Sequence, residues 1–125
     1  MVKELAFTAY PCADVAATRA WYERNLGLTF AGPYIEDGME KYNEAHIGSG
    51  CFSLMWNGWM DAAAGTGNGV AFEVSDIERR VVELTAAGIA VDPLFVSPMC
   101  KSTSLRDPEG NRLTIHETDP ARTKV

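Results

Sequence analysis

No apolar run in this sequence approaches the length that spans a bilayer, so no membrane association is expected. Basic clusters are equally scarce. The eleven lysines and arginines are scattered, Arg79-Arg80 is the only basic pair, and the net charge is −6. Phosphate backbones are repelled by that balance, so nucleic acid is not an expected partner. Cysteine is sparse too: Cys12, Cys51 and Cys100 are odd in number and lie in no C-x-x-C spacing. That excludes a disulfide framework or a zinc ribbon and leaves three thiols expected to be reduced. The opening MVKELAFTAY has one lysine and then a glutamate where a secretory signal has a long apolar core, and a cytoplasmic protein is expected.

What is present is ordinary for a globular chain. With 125 residues, 46% hydrophobic and 22% charged, a single domain spanning 1–125 is expected. ELAFTAY has the composition of a strand. Asp14 then opens the helical stretch VAATRAWYERN, whose Val15, Thr18, Tyr22 and Leu26 recur at helical steps until Gly27 stops it. GVAFEV is a second strand, and Ser75 starts a second helix with Glu78 in capping-box spacing, Ile77, Val81 and Leu84 as its buried stripe, and Gly88 as its end.

The two passages match in order, and Asp14-Val15 stands half a chain before Asp76-Ile77, as Gly27-Leu28 does before Gly88-Ile89. This predicts a duplicated module. Candidate strands LTFAGPY, MEKYNEAHI and CFSLMW follow the first helix, and IAVDPLF, MCKSTSL and NRLTIHE the second. Each module, 1–60 and 67–120, therefore reads as βαβββ, with turns at Asp37-Gly38, Gly48-Ser49-Gly50 and Asp107-Pro108-Glu109-Gly110. Between them, NGWMDAAAGTGNG has the composition of a linker bordered by Trp56, Trp59 and Met60. The tail TDPARTKV is expected to fray.

These motifs resemble the vicinal oxygen chelate superfamily, which includes glyoxalase I, extradiol dioxygenases, fosfomycin-resistance proteins and bleomycin-binding proteins. Asp14-Val15, Trp21-Tyr22 and Leu26-Gly27-Leu28 are similar to its D-L…F-Y…L-G-L, and Asp107-Pro108-Glu109-Gly110-Asn111 is similar to its D-P-D-G-N. Phe72-Glu73-Val74, Asp76-Ile77 and Gly88-Ile89 add to the match. The resemblance implies an α+β fold in which two βαβββ modules form curled mixed sheets around a cavity, with the helices outside. Alternation then puts Phe52, Leu54, Trp56, Leu113 and Ile115 toward the helices, and Cys51, Ser53, Met55, Arg112, Thr114 and His116 toward the cavity.

Metal-using members of the superfamily hold a divalent ion with His, Glu or Asp side chains from their strands. Carried over by the resemblance, those positions fall on Phe7, Ser53, Gly69 and Thr114. A phenyl ring, two hydroxyls and a glycine do not replace the lost hydration of such an ion. The expectation is a protein without metal or cofactor that binds an aromatic or amphipathic small molecule, with Phe7, Cys51, Ser53, Met55, Trp59, Gly69, Arg112, Thr114 and His116 as candidate ligand-binding residues. By family habit it is expected to be a homodimer. The alternative is a glyoxalase- or dioxygenase-like enzyme, a lyase or oxidoreductase, with an acid–base site at His116 or an unusual metal set drawn from Glu44, His46 and His116. Cys51 or Cys100 would add a nucleophile if either lay within hydrogen-bond reach of that histidine.

Overall fold

The structure, a computed structural model, describes residues 1–121. The end of the tail expected to fray, residues 122–125, lies outside the described residues. The chain runs through β1 (Thr8–Cys12), α1 (Val15–Leu26), β2 (Ala31–Glu36), β3 (Met39–Ile47), β4 (Gly50–Trp56), a 3₁₀ turn (Asn57–Trp59), β5 (Val70–Glu73), α2 (Ile77–Ala86), β6 (Phe95–Val96), β7 (Cys100–Arg106) and β8 (Arg112–Thr118). This is the expected α+β arrangement of βαβββ, twice. The strands form two four-stranded sheets, ordered β1-β4-β3-β2 and β5-β8-β7-β6. Each is mixed, with β1 parallel to β4 and β5 parallel to β8, and each is open.

Two compact units result: residues 1–68 with 107–111, and residues 69–106 with the described residues from 112 onward. In the first, α1 buries Val15, Thr18, Trp21 and Tyr22, and its sheet contributes Tyr10, Ala45, Phe52 and Leu54 to the core. In the second, Ile77 and Leu84 of α2 are buried, as are Leu105, Leu113 and Ile115 of the sheet. The ends of the β2–β3 and β3–β4 hairpins are set by two-residue turns. Asp37 and Gly38 take φ of 54° and 73°, the double left-handed turn that leaves Glu36 opposite Met39.

Three predicted elements differ from the structure. The strand expected over ELAFTAY starts only at Thr8 and continues to Cys12. IAVDPLF supplies only Phe95 to the two-residue strand β6 and Val91 to an isolated bridge with Leu105, because Pro93 has no N–H to donate to a ladder. The Ser75 capping box does not form. Asp76 is the cap residue, in a left-handed conformation and without a side-chain cap bond. The Glu117 carboxylate accepts from the N–H groups of Asp76 (2.7 Å) and Ile77 (3.3 Å) instead, because an anion at a helix N-terminus meets both free donors and the positive end of the dipole.

The turn at 107–111 belongs to the first unit and ties it together. Asp107 is 5% exposed, and its carboxylate accepts from the Tyr22 hydroxyl (2.8 Å), the Asn111 amide (2.9 Å) and the N–H groups of Glu109 (2.9 Å) and Asn111 (3.0 Å). Asn111 also donates to the Pro11 carbonyl and accepts from Gly67 N–H. The linker glycines matter here. A Cβ on Gly65 would stand 2.2 Å from the Glu109 carbonyl oxygen, and one on Gly67 would stand 2.6 Å from the Tyr10 ring. Glu109 accepts from the N–H groups of Ala13 and Asp14 at the start of α1.

This network predicts that Tyr22→Phe, which keeps the ring and removes one donor from a buried carboxylate, lowers unfolding free energy by about 1.5–3 kcal/mol. Asn111→Ala, which strands Pro11 and Gly67 as well, is expected to cost more than Tyr22→Phe. Urea titration at constant m-value measures both; an unchanged midpoint for either variant contradicts the assignment.

Candidate functional site

Alternation sorts the first sheet into two faces. Lys41, Asn43 and Ala45 of β3 and Phe52 and Leu54 of β4 are buried, the latter two on the side predicted to meet the helix. The opposite parity presents Tyr42, Glu44 and His46 beside Met55, Ser53 and Cys51, since Tyr42 faces Met55, Glu44 faces Ser53 and His46 faces Cys51 across the ladder. Phe7 joins this second face through an edge-on contact with Tyr42, ring centroids 6.2 Å apart, and remains 48% exposed. Ser53 is fully buried, and its hydroxyl donates to the Thr8 carbonyl at 3.5 Å. Trp59 packs on Trp56 and Tyr34, with ring centroids 6.2 and 5.7 Å away. Lys41, which lies 4.1 Å from the Trp56 ring, has the buried parity, so Trp59 sits with that face and not with Phe7, Cys51 and Met55.

Glu44 is the polar centre of the Tyr42 face. Its carboxylate accepts from the Tyr42 hydroxyl (2.7 Å) and the Cys51 thiol (3.4 Å) and lies 3.2 Å from His46 Nε2. The Tyr42 bond first, then that of Cys51, hold its carboxyl below the ordinary range. Burial, assisted by the Glu44 bond, pushes the Tyr42 phenol up to about 12. Burial and then Glu44 push the Cys51 thiol up as well, so this cysteine is a protonated donor and a poor nucleophile at neutral pH. The contribution of Tyr42 was not singled out from sequence, although its i, i+2 spacing to Glu44 carries the signal.

In the second unit Thr114 bonds the Ser104 hydroxyl at 3.2 Å, and Gly69, with φ of 101°, precedes β5. Arg112 is exposed at the start of β8. His116 Nδ1 lies 2.6 Å from Glu73, a partner set by the parallel register of β5 and β8 that no sequence spacing discloses. Burial raises the Glu73 carboxyl, but the Thr118 N–H and His116 outweigh it, and the net effect is a lowered pKa. Cys100 contacts the Ser97 hydroxyl at 3.7 Å, so the nucleophile envisaged beside His116 is not assembled by this residue; Cys51 is engaged with Glu44. A separate cleft of about 270 Å³, lined by Ser97, Cys100, Lys101, Glu117 and Thr118 among others, contains none of the candidate ligand-binding residues.

The electrostatics of Cys51 make a prediction. Replacing Glu44 with Gln removes a negative charge beside the thiol, lowers its pKa and raises the thiolate fraction at fixed pH. Alkylation of Cys51 by iodoacetamide, followed by peptide mass spectrometry, is expected to accelerate by roughly two- to tenfold while Cys100 is unaffected. Equal rates before and after the substitution would remove Glu44 from the environment of the thiol.

Structural comparison places this geometry among known folds. The antibiotic binding protein TnmS3 from a Streptomyces species superposes with a TM-score of 0.80 at 16% identity, covering 94% of this chain and 98% of its own. Lactoylglutathione lyase from Agrobacterium tumefaciens matches at 0.73 and 22% identity, covering 94% and 95%. A glyoxalase/bleomycin resistance protein from a Streptomyces species matches at 0.75 and 17% identity, covering 90% and 98%. At such identities the likeness is one of fold. No curated protein matches the sequence. A family model does match, over residues 4–115. Two βαβββ modules, two mixed sheets and that match together make the chain a member of the glyoxalase/bleomycin resistance protein/dioxygenase superfamily.

Proposed function

We propose that this protein captures an aromatic or amphipathic small molecule on the sheet face that carries Phe7, Tyr42 and Met55, without the metal used by enzymes of its superfamily. The chemistry of the four inherited ligand positions carries the reading. Phe7 offers a ring, Ser53 a buried hydroxyl, Gly69 no side chain and Thr114 a hydroxyl already paired with Ser104. None fits a divalent ion. Flat or apolar ligands gain instead from burying Phe7 and Met55. That the fold is shared with an antibiotic binding protein supports recognition as its use. The net charge of −6 favours a cationic ligand. The exposed Tyr34, Ile35 and Met39 on and beside β2 support a homodimer, and the reading places it in the cytoplasm.

The test is a panel of antibiotics and aromatic cations screened by thermal shift in the presence of a chelator. At one hundred times its dissociation constant, a true ligand adds about 2.7 kcal/mol to stability. Phe7→Ala is expected to weaken that ligand by about 1.5–3 kcal/mol, which is roughly 10- to 100-fold in Kd. A panel that leaves the melting temperature unmoved counts against capture.

One observation favours a second reading, acid–base catalysis: the 2.6 Å contact of His116 with Glu73, a carboxylate that orients an imidazole. Should a substrate be found, His116→Asn is expected to abolish turnover, and unchanged rates would dismiss the histidine from the mechanism.

A further inference from the structure

The hairpin of β3 and β4 brings three different metal-binding groups together. Its two-residue turn at Gly48-Ser49 pairs Ile47 with Gly50, and that register places His46 opposite Cys51 and Glu44 opposite Ser53. Strand alternation puts Glu44 and His46 on one face, and Cys51, on the neighbouring strand, is diagonal to Glu44. One donor atom from each of Glu44, His46 and Cys51 lies within 4.8 Å of the other two. His46 Nε2 is 3.2 Å from one carboxylate oxygen of Glu44, and Cys51 Sγ is 3.4 Å from the other.

Each of these contacts has the length of a donor–donor edge of a coordination tetrahedron, and because they end on the two oxygens of one carboxylate, a rotation of the Glu44 side chain brings a single oxygen toward both partners. With metal bonds of about 2.0–2.3 Å to nitrogen, oxygen and sulfur, donors around a zinc ion stand roughly 3.3–3.8 Å apart. His46 is exposed and both carboxylate oxygens face the cluster, so the remaining adjustment is a rotation of side chains, not of strands. We propose that Glu44, His46 and Cys51 hold a zinc-class divalent cation with three protein donors and an open fourth position. The set is distinct from the positions at Phe7, Ser53, Gly69 and Thr114, and it rests on the register of one hairpin, independently of ligand capture.

Charge and donor type agree with that assignment. A carboxylate, a thiolate and a neutral imidazole balance a dication, and the pairing of sulfur with nitrogen selects zinc or cobalt over magnesium or calcium. At present the Cys51 proton bridges the thiol and Glu44. On binding, the S–H bond breaks, a metal–sulfur bond forms and the proton leaves to solvent, with no change in oxidation state. Tyr42, on the same face, supports the site: its hydroxyl donates to Glu44 at 2.7 Å and orients the carboxylate.

The test uses the full chain with reduced thiols, stripped by chelator. Titration with Co(II) is expected to develop a sulfur-to-metal charge-transfer band in the near ultraviolet at one equivalent, which Zn(II) abolishes by displacement, while Mg(II) has no effect. Cys51→Ser removes the band, His46→Gln weakens binding at least tenfold, and Tyr42→Phe weakens it by about tenfold. Cys100→Ser leaves it intact. One measurement needs no variant: Zn(II) slows alkylation of Cys51 in the unmodified protein and leaves Cys100 unprotected. Absence of the band, a band that survives in folded Cys51→Ser, or equal alkylation of Cys51 with and without Zn(II) overturns the proposal. Because the ligand panel is run with chelator present, failure of one result does not decide the other.

Discussion

Four donors converge on the buried carboxylate of Asp107: the Tyr22 hydroxyl, the Asn111 amide and the N–H groups of Glu109 and Asn111. A buried charge is tolerable only when its lone pairs are taken up. Here the taking up is done by α1 and by the turn itself, while Asn111 reaches on to β1 through Pro11 and to the linker through Gly67. The helix, the edge strand and the linker of the first unit are thus held by one cluster. Burial and the charge of Asp107 raise the neighbouring Tyr22 phenol and Cys12 thiol, so both remain neutral donors inside that core. Among the described residues no buried side-chain nitrogen or oxygen is without a partner.

The two helices begin alike for the same electrostatic reason. Glu109 holds N–H groups ahead of α1, and Glu117 holds those of Asp76 and Ile77 ahead of α2. In both cases the anion comes from a segment distant in sequence, so helix initiation is coupled to formation of tertiary structure. Asp14 adds a local cap to α1 through Ala17 N–H, whereas Asp76 makes none. The local sequence around Ser75 and Glu78 satisfies the rule for a capping box, but Glu117 supplies two acceptor oxygens at the helix end, and one carboxylate serves there better than a hydroxyl.

The same hairpin rule that builds the first sheet distributes its chemistry. Residues of one parity enter the core beneath α1, and those of the other set an apolar edge at Phe7 and Met55 against a polar centre at Glu44. Two neighbouring rungs of the β3–β4 ladder, Glu44 with Ser53 and His46 with Cys51, carry an acid, an imidazole and a thiol.

Much of this was legible in the residues. MEKYNEAHI is β3 from end to end, the helical face of Val15, Thr18 and Tyr22 is buried, and Leu113 and Ile115 lie under α2 as alternation required. Other features were not. The contact of Glu73 with His116 depends on parallel register, the close approach of Gly65 and Gly67 to the distant turn depends on how the linker lies, and the burial of Ser53 depends on its neighbours across three strands. Periodicity and turn residues are local properties, so the sequence by itself determined two βαβββ modules. Only the tertiary structure decided that Cys51 meets Glu44, that Trp59 turns to the other face and that Glu117 starts a helix, because cross-strand register and long-range hydrogen bonds join groups that alternation within one strand does not relate.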